Sequence, residues 1–189
     1  MKTLNLRRNQ IGGSIPRSIQ HFGSHIKQIR VDFNQLTGTI PDIFEGTSNL
    51  EELSVSANRL SGTLPETLNN KMNLKVLRAH TNSLNGIIPL KFDTMPRLND
   101  LQLHSNQLMG HIPEDIGDFV IAKTLTLGEN DLTGTIIPEF LSTMTKLEAI
   151  RLFDMKLYGT IPPSLFDIPE LYAVGLGGNN LNGTIPENI

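Results

Sequence analysis

The sequence predicts an α/β repeat fold: a curved, right-handed solenoid of about eight 24-residue repeats with a parallel β-sheet on its concave face. Three observations support this prediction. One apolar position recurs every 24 or 25 residues along the 189-residue chain. An asparagine follows that position by five residues in seven repeats, and a glycine follows it by nine residues in all eight. Self-similarity at a fixed period of this length is the sequence signature of a solenoid.

The recurring apolar position predicts one short strand per repeat. In the fifth repeat Leu101 and Leu103 lie two residues apart, so on a strand both point into the core, while Gln102 between them points outward. A single repeat cannot bury its own apolar side, so we expect neighbouring repeats to stabilise one another. The strand positions are Leu4, Ile29, Leu53, Leu77, Leu101, Leu125, Ile150 and Val174.

The recurring asparagine predicts a structural ladder. It stands where the chain leaves the strand, and a buried amide there pairs with backbone groups that a tight bend leaves unpaired. Met155 replaces the asparagine in the seventh repeat. The ladder consists of Asn9, Asn34, Asn58, Asn82, Asn106, Asn130 and Asn179.

The recurring glycine predicts a position that needs a positive φ or a close backbone approach. A proline follows it in most repeats, and one extra residue before Pro138 predicts a bulge. The glycines are Gly13, Gly38, Gly62, Gly86, Gly110, Gly134, Gly159 and Gly183. On the outer side we expect the core to be closed by Leu68, Met72, Phe92, Met95, Ile116, Phe119, Leu141, Met144, Leu165 and Ile168.

The intact unit reads LSVSANRLSGTLP from Leu53 to Pro65 and LQLHSNQLMGHIP from Leu101 to Pro113. This LxLxxNxLxGxIP pattern resembles the plant-type leucine-rich repeats of receptor-like kinase and receptor-like protein ectodomains and of polygalacturonase-inhibiting proteins. The resemblance covers nearly the whole chain. It implies a leucine-rich-repeat solenoid, often with a second short sheet, that recognises a protein, peptide or glycan outside the cell or at its surface. A secreted or cytosolic inhibitor or scaffold is the alternative, because a fold does not fix a function.

The composition of the chain argues against several kinds of site and partner. The absence of cysteine excludes disulfides and thiolate metal sites. No run is long and apolar enough to span a membrane or to serve as a signal peptide. The first 31 residues hold six of the 16 basic side chains and none of the 19 acidic ones. They lack interleaved aromatic residues, so we do not expect a nucleic-acid partner.

Residues 1–189 are predicted to form a single repeat domain without visible terminal caps. The sequence opens almost on a strand at Leu4 and stops at Ile189 inside a repeat. Solenoids need capping units to hide the apolar ends of the stack, so a fragment of a larger receptor and end-to-end self-association are both expected possibilities.

The outward strand positions predict the ligand-binding face. Arg78, His80, Gln102 and His104 are expected to form one polar patch on adjacent strands, and such side chains often anchor interfaces. The alternative is that these positions are polar because water faces them. Phe33 and Phe153 are either interface anchors or side chains that fold over the strand edge. The candidate residues are Arg30, Asp32, Phe33, Arg78, His80, Gln102, His104, Arg151 and Phe153.

No catalytic, metal or cofactor site is predicted. His80 and His104 share a column, but a zinc site would need further converging ligands. No nucleophile, base and orienting acid can be placed at one point. Asn182 begins a glycosylation sequon, although Asn85 holds the same repeat position without one.

A further alternative is an ice-binding protein. A column of threonines follows the recurring glycines, and a flat ladder of this kind could bind an ordered surface. Ile87 and His111 interrupt the column, and threonine there also belongs to the repeat consensus. The column contains Thr39, Thr63, Thr135, Thr160 and Thr184.

Overall fold

The computed structural model describes residues 1–136, 141 and 143–189. The chain forms a solenoid in which each coil contributes one strand to each of two eight-stranded parallel sheets. The concave sheet contains β1 (Thr3–Asn5), β3 (Gln28–Arg30), β5 (Glu52–Ser54), β7 (Val76–Arg78), β9 (Asp100–Gln102), β11 (Thr124–Thr126), β13 (Ala149–Arg151) and β15 (Ala173–Gly175), in that order.

The register of the concave sheet confirms the predicted strand position. Leu101 pairs with Leu77 on one side and with Leu125 on the other, and the same residue pairs with its counterpart along the whole stack. Leu77, Leu101 and Leu125 have no exposed surface, whereas Val174 in the last coil is 38% exposed. The strand leucines therefore form one continuous core, and their burial depends on a neighbour on both sides.

The strands of the second sheet begin shortly after the ladder position of each coil. These strands are β2 (Gly12–Ser14), β4 (Gln35–Thr39), β6 (Arg59–Gly62), β8 (Ser83–Gly86), β10 (Gln107–His111), β12 (Asp131–Gly134), β14 (Lys156–Thr160) and β16 (Asn180–Asn182). All eight predicted glycines have a positive φ. At Gly62 a Cβ atom would also lie 2.8 Å from the Thr39 methyl carbon of the preceding coil. Threonine in this column therefore has a packing role: its methyl group covers the next glycine.

The outer side is closed mainly by short 3₁₀ helices. They span Arg17–His25, Phe44–Gly46, Glu66–Leu68, Phe92–Thr94, Glu114–Asp118 and Pro163–Asp167. Of the ten residues predicted to close the core here, nine are buried. Pro138, with its predicted bulge, lies outside the described residues.

The prediction for Met72 was wrong. Met72 is 56% exposed, and Lys71 occupies the inward position instead, with 5% exposure. Asn70 has a positive φ of 62°, and after it the chain turns Lys71 inward and Met72 outward. The Lys71 ammonium donates to the Glu45 carbonyl oxygen at 3.2 Å. An ammonium group therefore lies in a position that is apolar in most other coils.

The asparagine ladder is confirmed. Asn58 donates from Nδ2 to the carbonyl oxygens of Val31 (3.1 Å) and Val55 (3.0 Å), and its Oδ1 accepts from the Leu36 amide at 2.9 Å. Asn82, Asn106, Asn130 and Asn179 repeat this pattern. Each asparagine thus joins its own bend to the preceding coil. Met155, which is 6% exposed, has no amide to offer.

Candidate ligand-binding surface on the concave sheet

The concave surface is built from columns of outward side chains set by the strand register. Positions one before, one after and three after each strand leucine face outward, and a fourth position follows at the bend. Arg78 pairs with Gln102, and Gln102 pairs with Thr126, so the columns predicted from the sequence run straight across the sheet.

Arg78, His80, Gln102 and His104 lie together on two adjacent coils, and we refer to these four residues as the concave patch. The rings of His80 and His104 stack with centroids 4.4 Å apart and an interplanar angle of 8°. Both histidines follow strands that are hydrogen-bonded to each other, β7 and β9, and this spacing brings the rings face to face. The structure thus brings together the four residues that the sequence grouped.

Asp100 compensates the positive charge that Arg78 brings to the concave patch, although the sequence pattern did not place Asp100 in that patch. Arg78 donates to Asp100 Oδ2 from Nε at 2.9 Å and also from Nη2. Gln102 donates to Asp100 Oδ1 at 2.9 Å. The sequence did contain a signal for Asp100: it directly precedes the strand residue Leu101, and that position faces outward, beside Arg78 of the neighbouring coil. The patch is therefore a hydrogen-bonding surface with little net charge.

The stacked histidines are neutral near pH 7. Burial, together with the neighbouring His104 and Arg78, lowers the pKa of His80 to about 4. Burial also lowers the pKa of His104, with Glu129 opposing and Arg151 adding to the shift. His80 Nδ1 lies 3.1 Å from the Thr81 hydroxyl oxygen. His104 Nδ1 is buried and has no hydrogen-bond partner among the described residues.

The first three coils hold two further arginine–carboxylate ion pairs. Arg30 binds both carboxylate oxygens of Glu52, at 2.8 and 2.5 Å. Arg7 donates from Nε to Asp32 Oδ2 at 2.7 Å. Asp32 is only 1% exposed, so it lies beneath the surface that the sequence pattern predicted it to form. Alternation alone does not reveal such burial, because side chains of neighbouring coils crowd together on a concave sheet.

Three buried polar atoms in one column lack partners among the described residues: Asp32 Oδ1, Ser56 Oγ and His104 Nδ1. Each belongs to the position three residues after a strand anchor, in the second, third and fifth coils. Only one other such atom, Ser164 Oγ, occurs in the described part of the chain. Unsatisfied buried polar atoms are rare in folded proteins, so their concentration in this column sets it apart.

Phe33 and Phe153 have different environments. Phe33 is 44% exposed, and the Arg8 guanidinium carbon lies 5.6 Å from its ring centroid. Phe153 folds onto its neighbours: a Cβ added to Gly128 would lie 3.2 Å from the Phe153 ring, and one added to Gly175 would lie 3.7 Å away. Arg151, on the same strand end, has no ion-pair partner among the described residues.

A second column with positive φ was not expected from the sequence. It lies directly after the column of His80 and His104, at the bend that leaves the concave sheet. Its residue types vary from coil to coil, and glycine marks the conformation only in the last coil. The residues are Arg8, Phe33, Ala57, Thr81, Ser105, Glu129, Asp154 and Gly178, with φ between 51° and 68°.

The geometry does not favour metal binding at the histidine pair. The rings stack in parallel, so their nitrogens do not converge on one point. Among the described residues no group of three or more His, Asp or Glu side chains could hold a metal ion. Asn182, the glycosylation candidate, is exposed at the end of β16. Its modification stays a prediction.

Three segments of the chain match a known family. The family described as Leucine Rich Repeat matches residues 1–22, 49–71 and 97–119. A comparison with curated protein sequences finds no match. In the part of the chain that the structure describes, no helix is long and apolar enough to cross a bilayer.

Solved plant structures superpose on nearly all of this chain. A plant peptide hormone receptor, RGFR1 in complex with RGF2, is 30% identical over 98% of this chain and 29% of its own, with a TM-score of 0.91. The ectodomain of the receptor kinase GASSHO1/SCHENGEN3 from Arabidopsis thaliana, in complex with Casparian strip integrity factor 2, is 31% identical over 95% of this chain and 21% of its own, with a TM-score of 0.89.

A plant ice-binding protein is similar as well. It is 26% identical over 94% of this chain and 57% of its own, with a TM-score of 0.86. The chain therefore spans less than a third of the two receptor structures and just over half of the ice-binding protein.

Proposed function

We propose that this chain, which is a leucine-rich-repeat solenoid of the plant type, is a recognition module whose concave sheet binds a peptide or protein segment. In this proposal it is the ligand-binding part of a receptor-like protein, acts outside the cell or at its surface, and performs no chemistry of its own. The two receptors that superpose on it were solved with RGF2 and Casparian strip integrity factor 2. A secreted or cytosolic inhibitor or scaffold would use the same face.

The observation that carries the proposal is the concave column with unpartnered polar atoms. Asp32 Oδ1, Ser56 Oγ and His104 Nδ1 lie buried, within and beside the concave patch, and find no partner in the described part of the chain. Leaving a buried donor or acceptor unpaired costs about 1–3 kcal/mol. A surface kept only for solvation would not concentrate such costs in one column. A ligand or ordered water that displaces the covering side chains and pairs with these atoms would remove these costs.

The compensated charges indicate what the ligand contacts. Arg7, Arg30 and Arg78 are each bound to a carboxylate of the chain itself. A ligand therefore gains more from hydrogen bonds than from its own acidic groups. The four coils from Asp32 to His104 span about 14 Å, which matches roughly four residues of an extended peptide. A glycan remains the alternative ligand, with the exposed ring of Phe33 as a stacking surface.

The test is selection of a phage-displayed random peptide library on the intact chain. The patch variant replaces Arg78, His80, Gln102 and His104 with Ala. The control variant replaces Asp93 and Lys146 with Ala, because both lie exposed on the outer side. We expect selected peptides to bind the wild type and the control equally and to lose most of their affinity for the patch variant, with little dependence on salt.

Two results would reject the proposal. One is equal binding to the patch variant and the wild type, with loss of binding to the outer-face control. The other is a hydrolytic activity that survives purification and disappears on one concave substitution. Circular dichroism of each variant checks that the fold is retained.

Ice binding is the second candidate function, supported by the similarity to the plant ice-binding protein and by the exposed threonine column on the second sheet. Ile87 and His111, both exposed, divide the column. Thermal hysteresis of the wild type and of the Ile87→Thr/His111→Thr variant decides this candidate. An ice-binding surface should show hysteresis that increases in the variant, and its absence in both eliminates the candidate.

A further inference from the structure

The concave patch contains a pair of groups whose contact depends on their charge. His80 and His104 stack at 4.4 Å, nearly parallel, at its centre. Neutral imidazoles pack well in this arrangement. Two imidazolium cations at the same separation would repel strongly, because few water molecules separate them.

The charged groups around the pair do not favour protonation of both rings. Arg78 lies beside His80 and disfavours a cation there, while Asp32 and Asp100 favour one. These carboxylates are already bound to Arg7 and Arg78. Next to His104, Glu129 accepts a hydrogen bond from Ser105 at 2.7 Å. Arg151, for which the described residues offer no ion-pair partner, opposes a positive charge there.

The buried nitrogen of His104 adds a second barrier to protonation. A protonated imidazole donates from both ring nitrogens. His104 Nδ1 is buried without a partner among the described residues, so its N–H would find no acceptor while the stack persists. Neutral His104 can instead carry its single proton on Nε2. Protonation of His104 therefore requires the ring to leave its place.

We infer that the His80–His104 stack is a pH-sensitive element of the concave patch, closed when both rings are neutral and opened by acid. The inference rests on the proposed function in one respect only: opening would alter the surface to which a ligand binds, so a ligand held at neutral pH would be released by acid. The opening itself is a property of the free chain.

The pH range follows from the direction of the shifts. The pKa of His80 is lowered from 6.5 to about 4, so the folded chain takes up this proton less readily than the unfolded chain. Stability from the neutral pair is therefore fully present above pH 6.5 and is lost as the pH falls from there to about 4. The stack should stay closed in mildly acidic surroundings and open only near the lower end of this range.

The test is proton NMR of the free chain from about pH 8 to about pH 3.5, with histidine signals assigned by single His→Gln variants. We expect His80 to titrate with a midpoint of about 4, and the contact between the two rings to disappear over the same range. In His104→Ala the midpoint of His80 should rise towards 6.5, because burial and the second ring are both lost.

The matched variant is His104→Phe, which keeps an aromatic ring but cannot take up a proton. A protonated His80 is attracted to a phenyl ring, so this stack should remain closed where the wild type opens. Titration of His80 near 6.5 in the wild type, or a ring contact that persists through its titration, would overturn the inference. So would loss of the far-UV dichroism at the same pH, because acid would then unfold the whole chain. These measurements need no ligand, so their failure is distinct from a failure of the peptide selection.

Discussion

At the scale of single residues, the column with positive φ explains why several bends are strained. Ala57 has a φ of 51° at the bend after β5, where an L-residue with a Cβ costs about 1–2 kcal/mol more than glycine. The surrounding hydrogen bonds impose this conformation, since the Ala57 amide donates to the His80 carbonyl oxygen at 2.9 Å. The fold therefore tolerates backbone strain at this bend in every coil whose residue is not glycine.

We predict that Ala57→Gly stabilises the chain by about 0.5 kcal/mol. Relief of strain outweighs the added entropy of glycine in the unfolded chain, which costs about 0.4–1 kcal/mol. The measurement is the midpoint of urea unfolding. The control is Ala79→Gly, at a fully buried position directly after β7, which should destabilise. Equal losses at both sites would show that the bend at residue 57 carries no strain.

Lys71 is the residue whose position the repeat pattern did not anticipate. Lys71 is 5% exposed, its ammonium has one acceptor among the described residues, the Glu45 carbonyl oxygen, and burial lowers its pKa. We predict that Lys71→Met stabilises the chain by about 1–3 kcal/mol at pH 7, because it removes a buried charge that is only partly compensated. Thermal unfolding of this variant, with the exposed Lys91→Met as control, provides the measurement.

The pH dependence supplies a second readout for Lys71. Its folded pKa is lower than its unfolded value of 10.5, so the cost of the buried ammonium is present below the folded pKa. That cost disappears as the pH rises from the folded pKa to 10.5. The difference between Lys71→Met and the wild type should therefore narrow in alkali. A destabilised variant, or a difference independent of pH, would contradict this account.

The residues of the concave surface show what sequence could and could not reveal. Period-two alternation placed Arg78, His80, Gln102 and His104 correctly on adjacent coils, because strand geometry alone determines that order. It could not reveal that Asp100 compensates Arg78 or that Asp32 lies buried under Arg7, because ion pairing depends on side-chain rotamers and on the curvature of the sheet. It also left open whether Phe153 is exposed, which the neighbouring glycines decide.

At the scale of elements, the asparagine ladder connects one coil to the next. Asn106 donates to the carbonyl oxygens of Ala79 (3.1 Å) and Leu103 (3.0 Å) and accepts from the Leu84 amide (3.0 Å). Met155 breaks the ladder, and the Leu152 carbonyl oxygen keeps only the bond that Asn179 of the next coil donates, at 2.6 Å. The break is therefore only partly compensated, since methionine offers no comparable acceptor to the preceding coil.

We predict opposite effects for the exchange of these two residue types. Asn106→Met should destabilise by at least about 2 kcal/mol, because backbone groups of two coils lose their partners. Met155→Asn should stabilise by about 1 kcal/mol or less, because Asn130 and Asn179 already serve the nearby carbonyl groups. Urea midpoints of the two variants, each checked by circular dichroism, give the comparison. A loss of stability in both would mean that the seventh coil has adapted to methionine.

The repeat pattern predicted elements better than it predicted their outer connections. Strand positions, ladder asparagines and glycines occur at fixed spacing, since each type makes the same contact with a neighbouring coil in every repeat. The outer segments vary in length and in which residue turns inward, as Lys71 and Met72 demonstrate. Contacts there are formed by a few side chains rather than by a backbone ladder, so the local sequence decides them one coil at a time.

At the scale of the whole molecule, each coil is stabilised by its contacts with the neighbouring coils, so the two end coils are the least stable. Leu6 and Ile11 in the first coil are 38% and 37% exposed, whereas their counterparts in the central coils are buried. Beside them lies an apolar cavity of about 310 Å³ lined by Leu4, Leu6, Ile11, Ile15, Phe22 and neighbouring residues. At the other end Ile185 and Ile189 are 69% and 77% exposed.

The two ends of this 189-residue chain are complementary in structure and in charge. Both sheets finish with an unpaired strand edge at each end, with the same strand direction. In the central coils each ladder asparagine accepts from the leucine amide of the preceding coil, as Asn58 does from Leu36. Asn9 could accept in the same way from Leu181 of another molecule. The basic first 31 residues would then face the more acidic remainder of a neighbour.

We therefore predict that the isolated chain associates head to tail, or that its terminal coils fray while the central coils from Leu53 to Gly134 stay ordered. Exposed strand edges and apolar ends both favour association.

Light scattering across protein concentration should detect the head-to-tail association. High salt should weaken the contact, because exposed charges are screened beyond about 10 Å at 0.1 M ionic strength. Ile11→Glu should abolish it, whereas Ile87→Glu, at a more exposed apolar site directly after β8, should not. Hydrogen exchange resolved by coil should show the terminal coils exchanging fastest in the monomer. A monomer at all concentrations and salts, with terminal coils protected as strongly as central ones, would contradict both forms of the prediction, because each requires the end coils to lack the neighbour that buries the others.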